Sequence, residues 1–252
     1  MTNLVGRTAI VTGAARGLGR TYAQKLIEAG MNVVVADKAD TKETLDLMYG
    51  PGKALGVALD VADFKSAAAM AERTLAAFGR IDVLINNAAL YGGLKGGRAE
   101  QIDEAEWDRC MAVNVKGVWN CCRAVIPQMR KQGGGSIVNV ASLAAIYGLP
   151  YALHYSAAKA AVIGMTRALA RELGRDWIRV NAIAPTAVLT EGTKEFFGAK
   201  YEKGMQTIRD NQSLKRNLTS EDLAGTVLYL AGDASKFVTG QTIMVDGGTH
   251  FL

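Results

Sequence analysis

Tyr155 and Lys159 stand four residues apart, with Ser142 thirteen residues before the tyrosine. A spacing of four puts both side chains on one face of a helix, so that an ammonium lies beside a phenol. An unperturbed phenol titrates near about 10 and is protonated at neutral pH, but a cation roughly 4 Å away in an effective dielectric of about 20 favours the phenolate by about 4 kcal/mol. At about 1.4 kcal/mol per pKa unit, one lysine supplies the shift that turns a tyrosine into a general base near neutral pH. Taken alone, Tyr-x-x-x-Lys fits a solvated helix surface as well. Its meaning depends on what the rest of the chain places around it.

A phosphate-binding element lies at the N-terminal end. The apolar, β-branched run Thr8–Thr12 leads into Gly13-Ala-Ala-Arg16-Gly17-Leu18-Gly19, and a helical pattern follows from Leu18 to Ala29. Glycines let the backbone turn tightly and approach a pyrophosphate, while the helix start offers unpaired N–H groups and the positive end of its dipole. A second strand, Asn32 to Ala36, ends in Asp37, eighteen residues after Gly19. There a carboxylate reaches the adenosine ribose hydroxyls of a dinucleotide.

In order and spacing these residues resemble the short-chain dehydrogenase/reductase family in its single-domain, roughly 250-residue, NAD-preferring form. The resemblance runs from Thr12 to Gly248. The family's Thr-Gly-x-x-x-Gly-x-Gly is met by Thr12, Gly13, Gly17 and Gly19, and its Asn-Asn-Ala-Gly by Asn86-Asn87-Ala88-Ala89, which departs at the last position. The resemblance implies that NAD lies against Gly13, Arg16, Gly17, Leu18, Gly19, Asp37, Asp60, Val61, Asn87 and Ala88, with Pro185, Val188 and Thr190 near the nicotinamide amide. It assigns Ser142 to the substrate oxygen and Tyr155 to the proton. Lys159 is to lower the tyrosine pKa and bind the nicotinamide ribose, and Asn114 is to connect Lys159 to a relay water. The usual Pro-Gly is Pro185-Thr186 here, and the larger residue is expected to narrow the substrate mouth.

The elements that must hold these groups follow from periodicity. Strands are expected at Thr8–Thr12, Asn32–Asp37, Ala54–Leu59, Val83–Asn86, Ser136–Val140, Arg179–Ile183 and Thr242–Val245, with helical patterns between them. Near-continuous apolar strands alternating with helices predict an α/β fold, a doubly wound parallel sheet in three layers. The glycine-rich breaks at 49–52, 92–97 and 133–135 read as turns, leaving one domain over residues 1–252. Two stretches have no place in that sheet. Leu143 to Leu153 is largely apolar and precedes Tyr155. In the lid region 186–215, Phe197, Tyr201, Met205 and Ile208 recur at helical spacing, as core packing, a subunit contact or a lid over the substrate.

Composition excludes several classes. With 49% hydrophobic and 21% charged residues and four prolines, the chain reads as an ordinary globular protein. No apolar run approaches the roughly 18 to 20 residues that span a bilayer, and a first strand beginning at residue 8 leaves no room for a signal peptide, so a cytoplasmic protein is expected. The basic residues behind the net charge of +5 are scattered rather than gathered, which argues against nucleic acid. Cys110, Cys121 and Cys122 share one predicted helix and read as small apolar residues. Neither they nor His154 and His250 have metal spacing, and His154 reads as a pocket-wall or hydrogen-bonding residue.

The function expected is an NAD-dependent oxidoreductase acting on a secondary alcohol or ketone, with a cyclic or aromatic substrate favoured by the apolar segments. A 3-oxoacyl carrier-protein reductase, which in the family uses NADPH, is the alternative. Asp37 opposes it by repelling a 2′-phosphate, while Arg16 and Lys38 leave dual use open. A third class, a regulatory dinucleotide-binding protein without turnover, is opposed by the intact Ser142, Tyr155 and Lys159 set. The helical stretches Asp103–Lys131 and Tyr155–Leu173 carry apolar residues on more than one face, among them Met111, Val115, Val118, Trp119 and Val125, then Ala157, Ala161, Met165 and Leu169. The resemblance implies that these helices pair across a two-fold axis in a homotetramer, with burial inside the monomer as the competing explanation.

Overall fold

The computed structural model describes residues 4–251. The first half of the chain runs β1 (Thr8–Thr12), α1 (Gly17–Glu28), β2 (Asn32–Asp37), α2 (Lys42–Leu47), β3 (Ala54–Ala58), α3 (Phe64–Phe78) and β4 (Val83–Asn86). After α4 (Glu104–Met111) and α5 (Gly117–Lys131) come β5 (Gly135–Val140), α6 (Ala144–Tyr147), α7 (Leu153–Leu173) and β6 (Ile178–Pro185). The chain closes with α8 (Glu191–Phe197), α9 (Tyr201–Asn211), α10 (Ser220–Ala231) and β7 (Thr242–Val245).

Among the described residues the strands form one parallel seven-stranded sheet in the order β3-β2-β1-β4-β5-β6-β7. All seven expected strands are present. The sixth is longer than its periodicity suggests because Ile183, Ala184 and Pro185 pair with Ile243, Met244 and Val245 of β7. Alternate residues face opposite layers, as a strand's two-residue period requires. Ile10, Leu84, Ile137 and Val180 pack with Met70 of α3, Cys121, Cys122 and Val125 of α5, and Val162 of α7. Val11, Val33, Ile85, Val138 and Ile183 pack with Tyr22 and Leu26 of α1 and with Leu223, Val227 and Leu230 of α10. With helices on both faces, neither side of the central strands needs polar residues, which explains their continuous apolar runs. Cys121 and Cys122 are the small core residues expected.

Two helical expectations are corrected. The single helix expected over 103–131 is two α-helices joined by a π-helical turn, Ala112–Lys116. The wider turn has Asn114 at its centre, fully buried, and such local widening is common at functional sites. The apolar face expected along 197–208 is divided. A tight turn, Gly198–Lys200, with Gly198 at φ +50°, separates α8 from α9 and changes the direction of the chain. Phe197 and Ile208 line the cavity described below, Met205 is buried, and Tyr201 is half-buried with the Lys194 ammonium 5.9 Å from its ring centre. Val118 and Val125 belong to the core, so only part of the apolar surplus on α4 and α5 faces outward.

Candidate active site

Strand order reverses between β1 and β4, and the crevice this opens lies beyond the carboxyl ends of the strands. Its floor is held by Thr12 and Asn87. The Thr12 hydroxyl accepts from the backbone N–H groups of Asn87 (3.1 Å) and Ala88 (3.0 Å) and donates to the Ile85 carbonyl (3.3 Å). Asn87 Nδ2 donates in turn to the carbonyls of Thr12 and Gly13, both at 3.0 Å. These bonds set the glycine loop against the end of β4.

The loop fits a pyrophosphate. A Cβ on Gly13 would lie 2.6 Å from Ala88 Cα and one on Gly19 would lie 2.8 Å from Ala14 Cα, so both glycines are needed for packing. Gly17 is different: at φ +57° it faces open space, and a Cβ there would meet nothing within 4 Å. The first turn of α1 has neither a side-chain cap nor an acidic residue, which leaves its N–H groups and dipole to an anion. Leu18 lines the adjoining cavity. Asp37 is fixed at the end of β2, where Oδ2 accepts from Ala15 N and Oδ1 from Ala39 N, each at 2.9 Å. Asp60 pairs with Lys38 at 2.8 Å and accepts from Ala62 N at 3.0 Å, interactions that hold its carboxyl below the usual range, the lysine bond first. Val61 turns into the core with its side chain, and its carbonyl accepts from Asn120 Nδ2 at 2.8 Å.

Ser142, Tyr155 and Lys159 open on one cavity of about 670 Å³, with Pro185, Val188 and Thr190 in the same wall. Three elements bring them together. Ser142 follows β5 and accepts from Ala144 N at 3.2 Å, starting α6. Tyr155 and Lys159 lie on α7, which a buried chain of hydrogen bonds ties to the sheet: Asn86 Nδ2 to Asn139 Oδ1, then Asn139 Nδ2 to Thr166 Oγ1, both at 2.9 Å. His154 holds the start of the helix through Glu106, Nε2 to Oε1 at 3.0 Å, and is a hydrogen-bonding residue rather than a pocket wall. Thr186, in the cavity wall, is nearly buried. Thr190 caps α8 through its hydroxyl, which accepts from Thr193 N at 3.3 Å.

The electrostatics differ from the sequence expectation. Lys159 is 3% exposed; its ammonium donates to the Val140 carbonyl at 2.8 Å and lies 5.8 Å from the centre of the Tyr155 ring. Burial lowers the lysine from 10.5 to about 8. Burial likewise pushes the Tyr155 phenol well above its ordinary value, the nearby Tyr91 adds to this, and the Ser142 hydroxyl opposes it. At the phenol, desolvation outweighs the opposing contributions, and the Lys159 ammonium is engaged by the Val140 carbonyl. Asn114 is held through its side chain. Oδ1 accepts from Leu90 N and Nδ2 donates to Leu90 O, both at 3.0 Å, with Cys110 Sγ at 3.2 Å from Nδ2. Its side chain fixes the loop after β4.

That loop carries a residue the sequence did not single out. Tyr91 places its ring 5.1 Å from that of Tyr155 and stacks on Phe196 of α8 at 4.5 Å and 17°. Burial raises its phenol to about 12. Tyr91 lies four residues after Asn87, and only the fold brings it over the tyrosine of α7. Phe196, rather than the neighbouring Phe197, makes the stacking contact, and Phe197 meets it edge-on at 5.4 Å.

Known proteins resemble this chain in sequence and in fold. The family model described as enoyl-(acyl carrier protein) reductase matches residues 13–250. An uncharacterised oxidoreductase of Mycobacterium tuberculosis is 46% identical over 246 residues, covering 96% of each chain. A 3-oxoacyl-[acyl-carrier-protein] reductase of Thermotoga maritima is 39% identical, covering 97% of this chain and 98% of its own. The solved structure of carveol dehydrogenase from Mycobacterium avium in complex with NAD superposes with a TM-score of 0.93 at 30% identity, covering 99% of both chains. The chain belongs to the short-chain dehydrogenase/reductase family, whose members are oxidoreductases that bind a nicotinamide cofactor.

The buried lysine has a measurable consequence. Its pKa is lower folded than unfolded, so between about pH 8 and pH 10.5 the unfolded chain holds the extra proton and stability rises with pH through this group; below pH 8 the full cost is present. That cost is on the order of 3 kcal/mol, partly offset by the bond to Val140. Lys159→Met is therefore expected to stabilise the cofactor-free protein by roughly 1–3 kcal/mol at pH 7, with the gap closing toward pH 10. Urea unfolding at both pH values checks this. A variant less stable than the parent at pH 7, or a gap independent of pH, would contradict it.

Proposed function

We propose that this protein transfers a hydride between a cyclic or aromatic secondary alcohol and NAD, with Tyr155 as the acid/base. The observation that carries the reading is the shared cavity: Ser142, Tyr155 and Lys159 open on it, and Tyr91, Tyr147, Leu149, Phe197 and Ile208 supply an apolar and aromatic wall. A flat, weakly polar ring matches that wall by stacking and area burial. When bound, the nicotinamide cofactor would supply the hydride chemistry at the substrate carbon.

Ser142 donates to or accepts from the substrate oxygen and so fixes the reacting carbon. The Tyr155 phenol keeps its proton in the buried site, the form that delivers it to a carbonyl oxygen in the reductive direction. In oxidation the phenol must lose that proton, and the Lys159 ammonium is the cation in the same pocket that favours the phenolate once it turns from Val140. Lys159 would also hold the nicotinamide ribose. Gly13, Arg16, Gly17, Leu18 and Gly19 would cradle the pyrophosphate, Asp37 and Asp60 would face the adenosine, and Asn87, Ala88, Pro185, Val188 and Thr190 would line the nicotinamide end. Asn114 acts as a positioning residue, holding Leu90 and through it Tyr91.

NAD is favoured over NADP by Asp37, whose carboxylate stands where a 2′-phosphate would come, and by Lys38, already paired with Asp60. The second reading, a 3-oxoacyl carrier-protein reductase, is supported by the Thermotoga maritima relative. Assembly as a homotetramer belongs to the proposal. Met111, Val115, Trp119 and Met165 form a shallow apolar hollow across α4, α5 and α7, with Trp119 47% exposed. Apolar area left in water costs about 25 cal/mol per Å², which a second copy would relieve. A cytoplasmic location is part of the same reading; among the described residues no helix is long and apolar enough to cross a membrane.

Tyr155→Phe should lose turnover by at least about a hundredfold while NAD affinity changes little, since it removes one exchangeable proton and almost no volume. Near-normal turnover would remove Tyr155 from the mechanism. Assayed against cyclic and aryl secondary alcohols and against an acetoacetyl thioester, the enzyme is expected to favour the alcohols and NAD. The cofactor preference should be at least about tenfold in kcat/KM, equivalent to about 1.4 kcal/mol. A thioester reduced faster with NADPH would establish the second reading instead. In size-exclusion chromatography with light scattering, a mass near four chains is expected at micromolar concentration, and a stable 26.8 kDa species would refute the tetramer.

A further inference from the structure

Arg16 spans the gap between the glycine loop and the lid. It immediately precedes α1 in extended backbone, and its guanidinium crosses to α8, where Nη1 and Nη2 donate to the two carboxylate oxygens of Glu195 at 2.7 and 3.1 Å. Glu191, one turn earlier, brings a second carboxylate to 3.5 Å. Two parallel N–H to oxygen bonds are the fork arrangement that fixes the direction of an arginine. Gly92 makes room for it. A Cβ at that position would lie 2.9 Å from the Cβ of Glu195 and against its carboxylate, so the loop after β4 is cut back where Glu195 reaches across.

The N–H of Ala15, the residue before Arg16, holds the carboxylate of Asp37 at 2.9 Å. Arg16 is thus one residue from the group assigned to the adenosine ribose, where an arginine can accommodate a 2′-phosphate. Lys38, the neighbouring cation, is bound to Asp60 at 2.8 Å.

We propose that Glu195 is a cofactor-specificity residue: by pairing with Arg16 it occupies the guanidinium that a 2′-phosphate requires, so a phosphorylated dinucleotide binds only by breaking the bridge between lid and glycine loop. The inference rests on the NAD reading of the cleft. A non-phosphorylated dinucleotide leaves the bridge intact, and the lid stays joined to the loop that carries the cofactor. The two side chains are 56% and 43% exposed, so the pair has the strength of a surface contact and its share of the discrimination is several-fold. Asp37 supplies the rest.

Calorimetric titration of the cofactor-free protein with NAD and with NADP tests this apart from turnover. Glu195→Gln is expected to lower the Kd for NADP about fivefold and to leave the Kd for NAD within about twofold. Gly92→Ala, which keeps both charges but displaces Glu195, should shift NADP affinity in the same direction. In the double variant Arg16→Gln, Glu195→Gln the gain should vanish. An unchanged NADP affinity in Glu195→Gln overturns the proposal. So does a gain that survives without Arg16, which would assign it to the general loss of negative charge. If the parent binds NAD and NADP equally, the NAD preference fails, while the change produced by Glu195→Gln still reports on Glu195 itself.

Discussion

The hydroxyl of Thr12 is the interaction on which the site depends. Where the strand order reverses, β1 and β4 run side by side, and their onward chains leave toward opposite faces of the sheet. Something must close the crevice floor without filling it. Thr12 does so with one small side chain that accepts twice and donates once, and Asn87 completes the closure by donating to two loop carbonyls. With every polar atom of the Thr12 hydroxyl used, the buried floor carries no unsatisfied group at that oxygen. The glycine loop is consequently held low, and Gly17 is left bare at the place where an anion would approach.

A second set of buried polar contacts fixes the helix that carries Tyr155 and Lys159. Asn86, Asn139 and Thr166 cross from β4 through β5 to α7 in the interior of the molecule and determine how that helix lies on the sheet. Because their partners are all within the protein, they specify one arrangement where apolar residues alone would tolerate several. Lys159 on the same helix is a charge in a site that favours its neutral form. A stability-optimised chain would not keep it. Its retention beside Tyr155 and Ser142 is the kind of local cost found where a group must remain available for chemistry.

Helix α8 is joined to the cavity and the glycine loop by two unlike contacts. Phe196 stacks on Tyr91, which in turn covers Tyr155, whereas Glu195, the preceding residue, forms an ion pair with Arg16. Neighbouring positions on one short helix therefore reach the aromatic cover of Tyr155 and the glycine loop. The aromatic contact is insensitive to salt and contributes shape to the cavity. The ionic one is partly exposed and screened, so it can open and close at little energetic cost. Movement of α8 would alter both ends of the cleft together.

Much of this was legible in the sequence because it depends on local pattern. The strands, the loop from Gly13 to Gly19, Asp37 at the end of β2, and the helical spacing of Tyr155 and Lys159 all follow from residue periodicity and backbone requirements within short windows. The seven parallel strands likewise follow from alternation of apolar runs with helices. What tertiary structure decided concerns directions and neighbours. Whether the Lys159 ammonium faces the phenol or the Val140 carbonyl depends on where β5 ends beneath α7, and the balance of desolvation against charge depends on burial from several elements at once. Asn114 belongs to a helix by its sequence, yet its buried π turn directs it to Leu90. Tyr91 and Phe196 are separated by more than a hundred residues and Arg16 and Glu195 by 179; no window of sequence contains either pair. Local backbone preference and periodicity decay within a few residues, whereas side-chain direction and solvation are set by packing between distant segments, and for that reason only the folded chain could reveal them.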